Sequence, residues 1–352
     1  MADRAGLRRK LETRKQKLEE SPSSFLFLVS ALSMSASNNS LIPSFKRPPS
    51  RVAIRRAPNY QADLTTLLDE TLREFDLPVQ GRTVLLKPNF VEPDPGGVIN
   101  THPAVVAAAR ECFLHLGARS VIVAEGPGHE RDTEGILETN RLRHHLGPLA
   151  DKFVDLNLDD VRLVPTRTRA STVKELYLPR TVLEADIVVS MPKLKTHHWA
   201  GVTLSLKNMF GIVPGNCYGW PKNALHWAGL TRSILDINST VRPDFAIVDG
   251  IVGMEGNGPL QGDAKPCGLL VAGDDPVAVD ATCTRIMGMV PERIDYLAHA
   301  GLLLGHLKKE NIRQLGESPE SVRTSFAVLA AFDRLRDDTS KLSFQAKRGI
   351  SP

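Results

Sequence analysis

The feature that most constrains the fold is an alternation of short apolar runs with helix-forming stretches along the central part of the chain. Val, Leu and Ile fill runs such as 83–86, 120–124, 185–190 and 245–249, and each run is followed by a polar loop. Short runs of this kind are typical of buried parallel strands joined by crossover helices. We therefore expect an α/β fold with a mostly parallel sheet and helices on both faces, formed either as one body or as two lobes sharing a cleft.

The ends of two helices are signalled locally. We predict a helix over residues 102–116, with Thr101 as its N-cap and Gly117 closing it. A second helix is expected to open at Asp274-Asp275-Pro276, because Asp is a favoured N-cap and Pro a favoured first helical residue.

Two stretches between the apolar runs are predicted to be irregular or helical. Residues 191–200 are expected to form a loop that leads into a helical stretch over 202–210. Residues 250–262 contain five glycines and are expected to form a second loop, whose glycines let the backbone approach a ligand closely.

Charge divides the chain unevenly. The formal net charge is +4, but residues 1–60 carry 12 basic and 4 acidic side chains, whereas residues 61–340 carry 29 basic and 36 acidic ones. The acidic body gives no reason to expect nucleic-acid binding there. Three segments are predicted: a disordered basic extension over 1–50, an α/β domain over 51–318 with a possible β insertion at 151–181, and a partly disordered C-terminal helix or tail over 319–352.

The basic extension contains one apolar run, at residues 25–36. The run is too short to span a bilayer, and acidic residues precede it, so it matches a secretory signal only weakly. We expect a cytoplasmic protein without a membrane span.

The four cysteines are widely separated, at positions 112, 217, 267 and 283. Without a C-x-x-C pair they cannot supply the thiolate set of a ferredoxin-like cluster or a zinc ribbon. We expect free thiols in a reducing compartment and no intrinsic iron–sulfur cluster.

Polar residues follow five of the predicted strands. Because the carboxyl ends of parallel strands share one edge of a sheet, we expect these loops to converge on a single site. The loops are Lys87-Pro88-Asn89, Glu125-Gly126, Met191 to His198, Asp249-Gly250 and Gly273-Asp274-Asp275.

Lysines are concentrated in and after the third of these loops. Lys193, Lys195 and His197 lie within five residues, and Lys207 and Asn208 follow one helix later. On a loop entering a helix N-terminus, such residues would bind a phosphate or a carboxylate through charge, amides and the helix dipole. The alternative is a solvated basic loop.

Two histidines are candidates for moving a proton. His197 is the stronger one, because neighbouring lysines would depress its pKa. His102 has the same chemistry, but a residue at a helix start that bonds the backbone is an equally good explanation for it. With Lys195, these are the predicted catalytic residues.

Carboxylates and amides complete the predicted site. Asp249, at a strand end, is placed to bind a hydroxyl or a metal, and Glu255 and Asn257 lie in the glycine-rich loop. Asp280 is expected to be buried and paired. These carboxylates make a divalent metal possible, although no ligand spacing specifies one, and no dinucleotide or P-loop motif is present.

Five strings taken together resemble the family called domain of unknown function 362, over roughly residues 80–300. They are LLKPN, NTHP, ADIVVSMPKLKTHHWAGVTLSLKNMFGIVPG, RPDFAIVDGIVGMEGNGP and AGDDPVAVDA. The resemblance implies an α/β fold and a shared polar site, but no settled activity. The residues it implies are Lys87, Asn89, His102, Lys193, Lys195, His197, Lys207, Asn208, Asp249, Glu255 and Asp280.

Many members of that family carry ferredoxin-like cysteine clusters, from which this chain departs. The layout also resembles the nickel-dependent lactate racemases, which place Lys and His at a cleft for a pincer cofactor. Three hypotheses follow: an enzyme or cofactor-handling protein that binds an anionic small molecule, a protein that works with an external iron–sulfur redox partner, and a non-catalytic binding module.

Overall fold

The computed structural model describes residues 48–128, 132–146 and 153–337. Most of the predicted basic extension over 1–50 and the end of the predicted tail over 319–352 lie outside these residues. The strands are β1 Ser50–Arg56, β2 Thr83–Pro88, β3 Ser120–Glu125, β4 Phe153–Asp155, β5 Val161–Pro165, β6 Glu175–Pro179, β7 Ile187–Met191, β8 Lys193–His197, β9 Gly201–Thr203, β10 Phe245–Asn257, β11 Gln261–Gly273 and β12 Ile312–Gly316.

Short and medium helices connect these strands. The α-helices are α1 Leu64–Leu72, α2 Pro103–His115, α3 Thr133–Thr139, α4 Leu142–Leu146, α5 Arg180–Glu184, α6 Ser205–Asn208, α7 Gly215–Tyr218, α8 Asn223–Trp227, α9 Leu230–Val241, α10 Pro276–Ile286 and α11 Asp295–Leu303. Single turns of 3₁₀ helix occur at Met209–Ile212, Pro291–Arg293, Lys309–Asn311 and Ala330–Leu335. None of the helices in the described ranges is both long and apolar enough to cross a bilayer.

The main sheet runs in the order β12-β1-β11-β10-β7-β2-β3-β4, and β8 pairs with both β10 and β9 beside this path. Five of the seven neighbouring pairs along the path are parallel. The two antiparallel pairs join β11 to β1 and to β10. The predicted α/β fold with a mostly parallel sheet is therefore confirmed, and the chain from Pro49 onward clusters as one compact unit.

The core lies on both faces of the sheet because strand residues alternate. Val84 and Leu86 of β2 belong to a buried apolar cluster that also includes the inner faces of α1 and α2. Leu85 points to the opposite face and is equally buried. On that side α10 packs across β1, β10 and β11, so the parallel strands are covered by helices on both faces.

The glycine-rich stretch 250–262 is not a loop, and that prediction was wrong. It forms most of a long β10–β11 hairpin in which Met254 pairs with Ala264 and Asn257 with Gln261. The glycines serve packing there: a Cβ on Gly253 would lie 2.7 Å from the carbonyl oxygen of Leu194. Glycine is what lets β8 lie against this hairpin.

The stretch 151–181 contributes to two sheets. β4 extends the main sheet as a parallel neighbour of β3. β5 and β6 form a separate two-stranded antiparallel sheet in which Leu163 pairs with Tyr177. This small sheet leads through α5 into β7.

Candidate functional site

Four of the five predicted strand-end loops meet at one edge of the sheet. The loops after β2, β3 and β7 are adjacent because these strands are parallel, and Asp249 of β10 pairs in register with Lys193 of β8. The fifth loop, Gly273-Asp274-Asp275, does not join them. β11 runs antiparallel, so Gly273 lies opposite Ala246 near the start of β10, at the other edge.

The residues at that other edge have structural roles. The Asp274 carboxylate accepts two hydrogen bonds from Arg51, one from the main-chain N–H at 2.8 Å and one from Nε at 2.9 Å. Asp275 is the N-cap of α10, which confirms the helix start that the sequence predicted. The side chain of Asp275 accepts the N–H of Val277 at 2.8 Å.

The lysine-rich segment is a strand, so the predicted loop at 191–200 was wrong. β8 places Lys193, Lys195 and His197 on one face, because every second side chain of a strand points the same way. The predicted helix over 202–210 is instead β9, the four-residue α6 and a 3₁₀ turn. Main-chain amides of β8 are used in pairing with β9. They therefore do not face a ligand as the free amides of a helix N-terminus would.

Lys193 forms a buried ion pair with Asp249. The Nζ–Oδ2 distance is 3.0 Å and neither side chain is exposed. Tyr60 joins the pair: its hydroxyl accepts from Lys193 Nζ at 2.8 Å and donates to Asp249 Oδ1 at 3.1 Å. Main-chain N–H groups of His102 and Ile251 donate to the same carboxylate at 2.9 and 3.2 Å. Lys193 therefore has its counterion within the fold.

Lys87 is likewise paired. Its Nζ lies 2.6 Å from Glu125 Oε2 and donates to the main-chain and side-chain oxygens of Asn208, each at 2.8 Å. Burial lowers the pKa of Lys87, and the Glu125 carboxylate opposes that effect. Gly211 packs directly against this pair, since a Cβ there would lie 2.5 Å from Lys87 Nζ. Lys87, Glu125 and Asn208 form a closed polar unit.

Among the described residues, no carboxylate contacts the amine of Lys195. Its side chain is fully buried, and its Nζ donates to the carbonyl of Ile99 at 2.8 Å, with the Pro259 carbonyl at the 3.5 Å limit. Burial, followed by the nearby charges of Lys193 and Lys207, lowers the pKa of Lys195 to about 7. Near neutral pH this amine exists in both the protonated and the neutral form.

Lys207 and His197 both lie close enough to Lys195 for charge interactions with it. Lys207 is partly exposed, and its Nζ lies 4.5 Å from the ring centre of Phe210 without a hydrogen bond to any described residue. Burial, followed by the charge of Lys87, lowers its pKa to about 8. His197 Nδ1 accepts the N–H groups of Trp199 and Ala200 at 3.0 and 3.2 Å.

The hydrogen bonds to His197 settle its tautomer. Because Nδ1 accepts two of them, the proton of the neutral ring resides on Nε2. Burial, followed by the charge of Lys207, lowers the pKa of His197 well below its usual value. His197 is thus a neutral donor through Nε2. The predicted lysine effect is present but secondary to burial.

His102, and not Thr101, caps α2. Its Nδ1 accepts the N–H of Ala104 at 3.2 Å, as the helix-start explanation expected, and its ring stacks on Tyr60 at 3.7 Å. Burial lowers the pKa of His102 to about 4. Thr101 instead ties two strand ends together: its hydroxyl accepts from Asn89 N–H at 2.9 Å and donates to the Met191 carbonyl at 2.6 Å.

Two buried polar atoms near the strand ends have no hydrogen-bond partner among residues 48–128, 132–146 and 153–337. They are Asn89 Oδ1 and Thr203 Oγ1, whose residues are 8% and 4% exposed. Thr203 lies directly opposite Lys195 in the β8–β9 pair. A buried oxygen without a hydrogen-bond partner costs free energy, so each of these two atoms is available to form a hydrogen bond with a bound molecule.

Two predicted ligand residues, Glu255 and Asn257, have structural roles in the β10–β11 hairpin. Glu255 accepts the N–H of Ala327 at 2.8 Å and pairs with Lys265 at 3.0 Å. Asn257 is exposed at the hairpin end, where it donates to Gln261 at 3.1 Å. The Glu255–Lys265 and Asn257–Gln261 contacts join the two strands of the hairpin, and the bond to Ala327 ties the hairpin to a neighbouring segment.

Asp280 is buried, as predicted, and its partners are main-chain amides. It accepts the N–H groups of Ser205 and Leu206 at 2.7 and 3.0 Å, which caps α6. Burial raises the pKa of Asp280 to about 7. Its role is to position the helix that carries Lys207.

Tyr60 and Lys222 were missed by the sequence reasoning. Lys222 is buried, and its Nζ donates to the carbonyls of Gly126 and Gly211, each at 2.9 Å. Burial lowers its pKa to about 7. One signal could have revealed Lys222: residues 187–235 contain four lysines, one arginine and no Asp or Glu.

Neither a metal centre nor a thiolate cluster emerges among the described residues. Within them, no three His, Cys, Asp or Glu side chains are grouped as metal ligands. Asp249, the carboxylate expected to suit a metal, is engaged by Lys193, Tyr60 and two amides. All four cysteines are free, and two of them, Cys112 and Cys283, are buried.

The fold and the lysine cluster together define an α/β protein whose site is built at the carboxyl ends of parallel strands. The chain belongs to the DUF362 family, described as a domain of unknown function, whose sequence profile matches residues 84–285. It is 31% identical over 258 residues to a thylakoid-associated protein of Synechocystis sp., a match that covers 70% of this chain and 77% of that protein.

A comparison with solved structures gives a weaker likeness. The lactate racemase apoprotein from Thermoanaerobacterium thermosaccharolyticum matches with a TM-score of 0.40 and 15% sequence identity. The match covers 68% of this chain and 57% of that one.

Proposed function

We propose that this protein is an enzyme that binds an anionic small molecule, bearing a phosphate or a carboxylate, beside Lys195, Lys207 and His197. The observation that carries the proposal is the unequal pairing of the lysines. Lys87 and Lys193 each have a carboxylate within 3.0 Å. Within the part of the chain that the structure describes, neither Lys195 nor Lys207 has one.

A buried lysine without a counterion loses charge or acquires an anion. The lowered pKa values of Lys195 and Lys207, about 7 and 8, are what a site without its anion should have. A bound phosphate or carboxylate would raise both values and supply the missing charge. The site would therefore take up protons as it takes up its ligand.

Neutral side chains would orient the ligand. His197 Nε2–H would donate a hydrogen bond to an anion oxygen, since only Nδ1 of that ring is used inside the protein. Asn89 and Thr203 hold buried oxygens without partners, which suits a ligand that also carries a hydroxyl or carbonyl group. Proton movement is assigned to Lys195 or His197, and His102 is placed in the supporting network around Asp249.

The proposal is tested by titrating the full chain with phosphate, oxalate and citrate in a calorimeter, in two buffers of different ionisation enthalpy. We expect proton uptake on binding at pH 8, and loss of both affinity and uptake in Lys195→Met and Lys207→Met. The matched control is Lys174→Met, because Lys174 is exposed and away from the cluster. Binding that is unchanged in both cluster variants would refute the proposal.

A second candidate function, docking onto a partner, is favoured by two exposed tryptophans. Trp199 and Trp227 are 60% and 80% exposed, and the Trp199 ring lies 5.5 Å from that of His226. Such a surface would suit a redox partner that carries an iron–sulfur cluster, or a membrane surface, and the Synechocystis relative is described as thylakoid-associated. Loss of partner capture in Trp227→Ala, with anion binding intact, would support docking.

The proposed place of action is the cytoplasm, where four free thiols are stable. Because the relative is thylakoid-associated, cell fractionation decides between a dispersed and a membrane-bound pool. Recovery of the protein chiefly with membranes that release it only in detergent would overturn the cytoplasmic assignment.

A further inference from the structure

The buried lysines differ in how fully their amines are used. Lys87 makes four hydrogen bonds, Lys193 two and Lys222 three. Lys195 makes one good bond, to Ile99, and one at the limiting distance of 3.5 Å. A lysine ammonium has three N–H groups, so Lys195 is the least satisfied of these four amines.

The surroundings of Lys195 favour a neutral amine. Lys193 and Lys207 bring positive charge to it, and no carboxylate bonds its Nζ; the charges of Asp94 and Glu125 act in the opposite sense from farther away. Burial, followed by the charges of Lys193 and Lys207, lowers the pKa of Lys195 to about 7. A lysine desolvated beside another cation is the arrangement that turns an amine into a nucleophile at neutral pH.

Anchors for one class of substrate flank this amine. His197 lies two residues along the same strand face, about 7 Å away by strand geometry, and Lys207 is its electrostatic neighbour. On the other side, Thr203 is directly opposite Lys195 and its hydroxyl has no partner. A small molecule with a carboxylate next to a carbonyl group would satisfy both sides at once.

We propose that Lys195 forms a Schiff base with the carbonyl carbon of a 2-oxo acid, an inference that rests on the proposed anion site. Nζ supplies the electron pair of the new C–N bond. The carbonyl oxygen leaves as water, with both hydrogens of the neutral amine, and leaves an imine of unchanged oxidation level. His197 and Lys207 hold the carboxylate, and the Thr203 hydroxyl bonds the departing oxygen.

For a substrate to reach the amine, Lys195 must exchange one hydrogen-bond partner. The carbonyls that contact Nζ belong to Ile99 and Pro259, and both of these residues are partly exposed. The substrate carbonyl would take the place of the Ile99 contact. No ion pair with a described residue has to break, because Lys195 forms none within that part of the chain.

Reductive trapping tests the inference directly. The full chain is incubated with pyruvate and sodium cyanoborohydride at pH 7, and the reduced adduct is located by peptide mass spectrometry. We expect one adduct, on Lys195, lost in Lys195→Met and unaffected in Lys174→Met. Propionate, which has the carboxylate without the carbonyl, should slow trapping by competition and form no adduct.

Other outcomes overturn the inference, and they are separable from failure of the anion site. An adduct spread over exposed lysines, or none on Lys195 in the wild-type chain, refutes Schiff-base formation whatever the variants do. If calorimetry still detects oxalate or phosphate binding, the anion site stands and only the covalent step is wrong. If neither anion binding nor trapping occurs, the proposed function fails as well.

Discussion

Lys193 Nζ lies 3.0 Å from Asp249 Oδ2, and both side chains are completely excluded from solvent. The two residues are 56 positions apart in the chain but pair in register across β8 and β10. Asp249 is the carboxylate that pairs with the Lys193 ammonium, and the other partner of that ammonium is the neutral Tyr60 hydroxyl, so the pair makes a strong prediction about stability.

Asp249→Asn is expected to destabilise the protein by about 3–5 kcal/mol, because it leaves the Lys193 ammonium buried without a counterion. The measurement is the free energy of unfolding from denaturant titration. Glu317→Gln is the control: it breaks an ion pair with Arg56 on the surface and should leave the midpoint close to that of the wild type. Equal effects of the two substitutions would contradict the assigned role.

Gly211→Ala is expected to disrupt the Lys87–Glu125 pair. A Cβ at position 211 would lie 2.5 Å from Lys87 Nζ and closer still to Glu125 Oε1, so one of the two charged groups must move. The expected cost is roughly 3 kcal/mol. Gly128→Ala is the matched control, since a Cβ there meets nothing within 4 Å, and thermal unfolding of both variants is the readout.

Acidification should weaken the fold partly through His102. Burial holds the folded pKa at about 4, below the unfolded value of 6.5, so its stabilising contribution is complete above pH 6.5 and declines as pH falls toward 4. Because the ring is partly exposed, the expected loss by pH 5 is about 1 kcal/mol. His102→Asn keeps an N-cap side chain and should reduce the dependence on pH between 6.5 and 5. An unchanged slope would mean that His102 does not contribute.

Anion affinity should depend on pH through Lys195. Its pKa of about 7 in the free protein rises when an anion binds, so affinity is highest below pH 7 and falls by up to about tenfold per pH unit above it. Phosphate-induced thermal stabilisation, measured from pH 6.5 to 9, checks this. Stabilisation by phosphate should itself be lost in Lys195→Met, whereas Lys174→Met should keep both the stabilisation and its dependence on pH.

The sequence alone was sufficient for the parallel half of the fold. Strands β2, β3 and β7 are apolar runs, and helix α10 begins at the Asp-Pro signal, so local chemistry identified them. The residue types of the site were also visible, since lysines stand out in an acidic body. The family followed from the same strings.

Two local predictions failed because glycine and lysine, which are common in loops, occur here within strands. The five glycines of 250–262 suggested a loop, yet three of them, Gly250, Gly253 and Gly258, are the residues that allow the β10–β11 hairpin to pack against β8. The sequence of β8 is rich in charged residues and therefore resembles a loop. In the structure it is a strand whose alternate residues face one way. Packing against neighbouring strands overrides local propensity in both cases.

Tertiary structure alone decided which lysines are paired. Lys193, with Asp249 beside it, and Lys195, with only carbonyls, are two residues apart and share one strand face. Their difference depends on contacts with residues 56 to 133 positions away. Such contacts follow from strand order and register, which no local pattern encodes, whereas residue type and period are properties of the sequence itself.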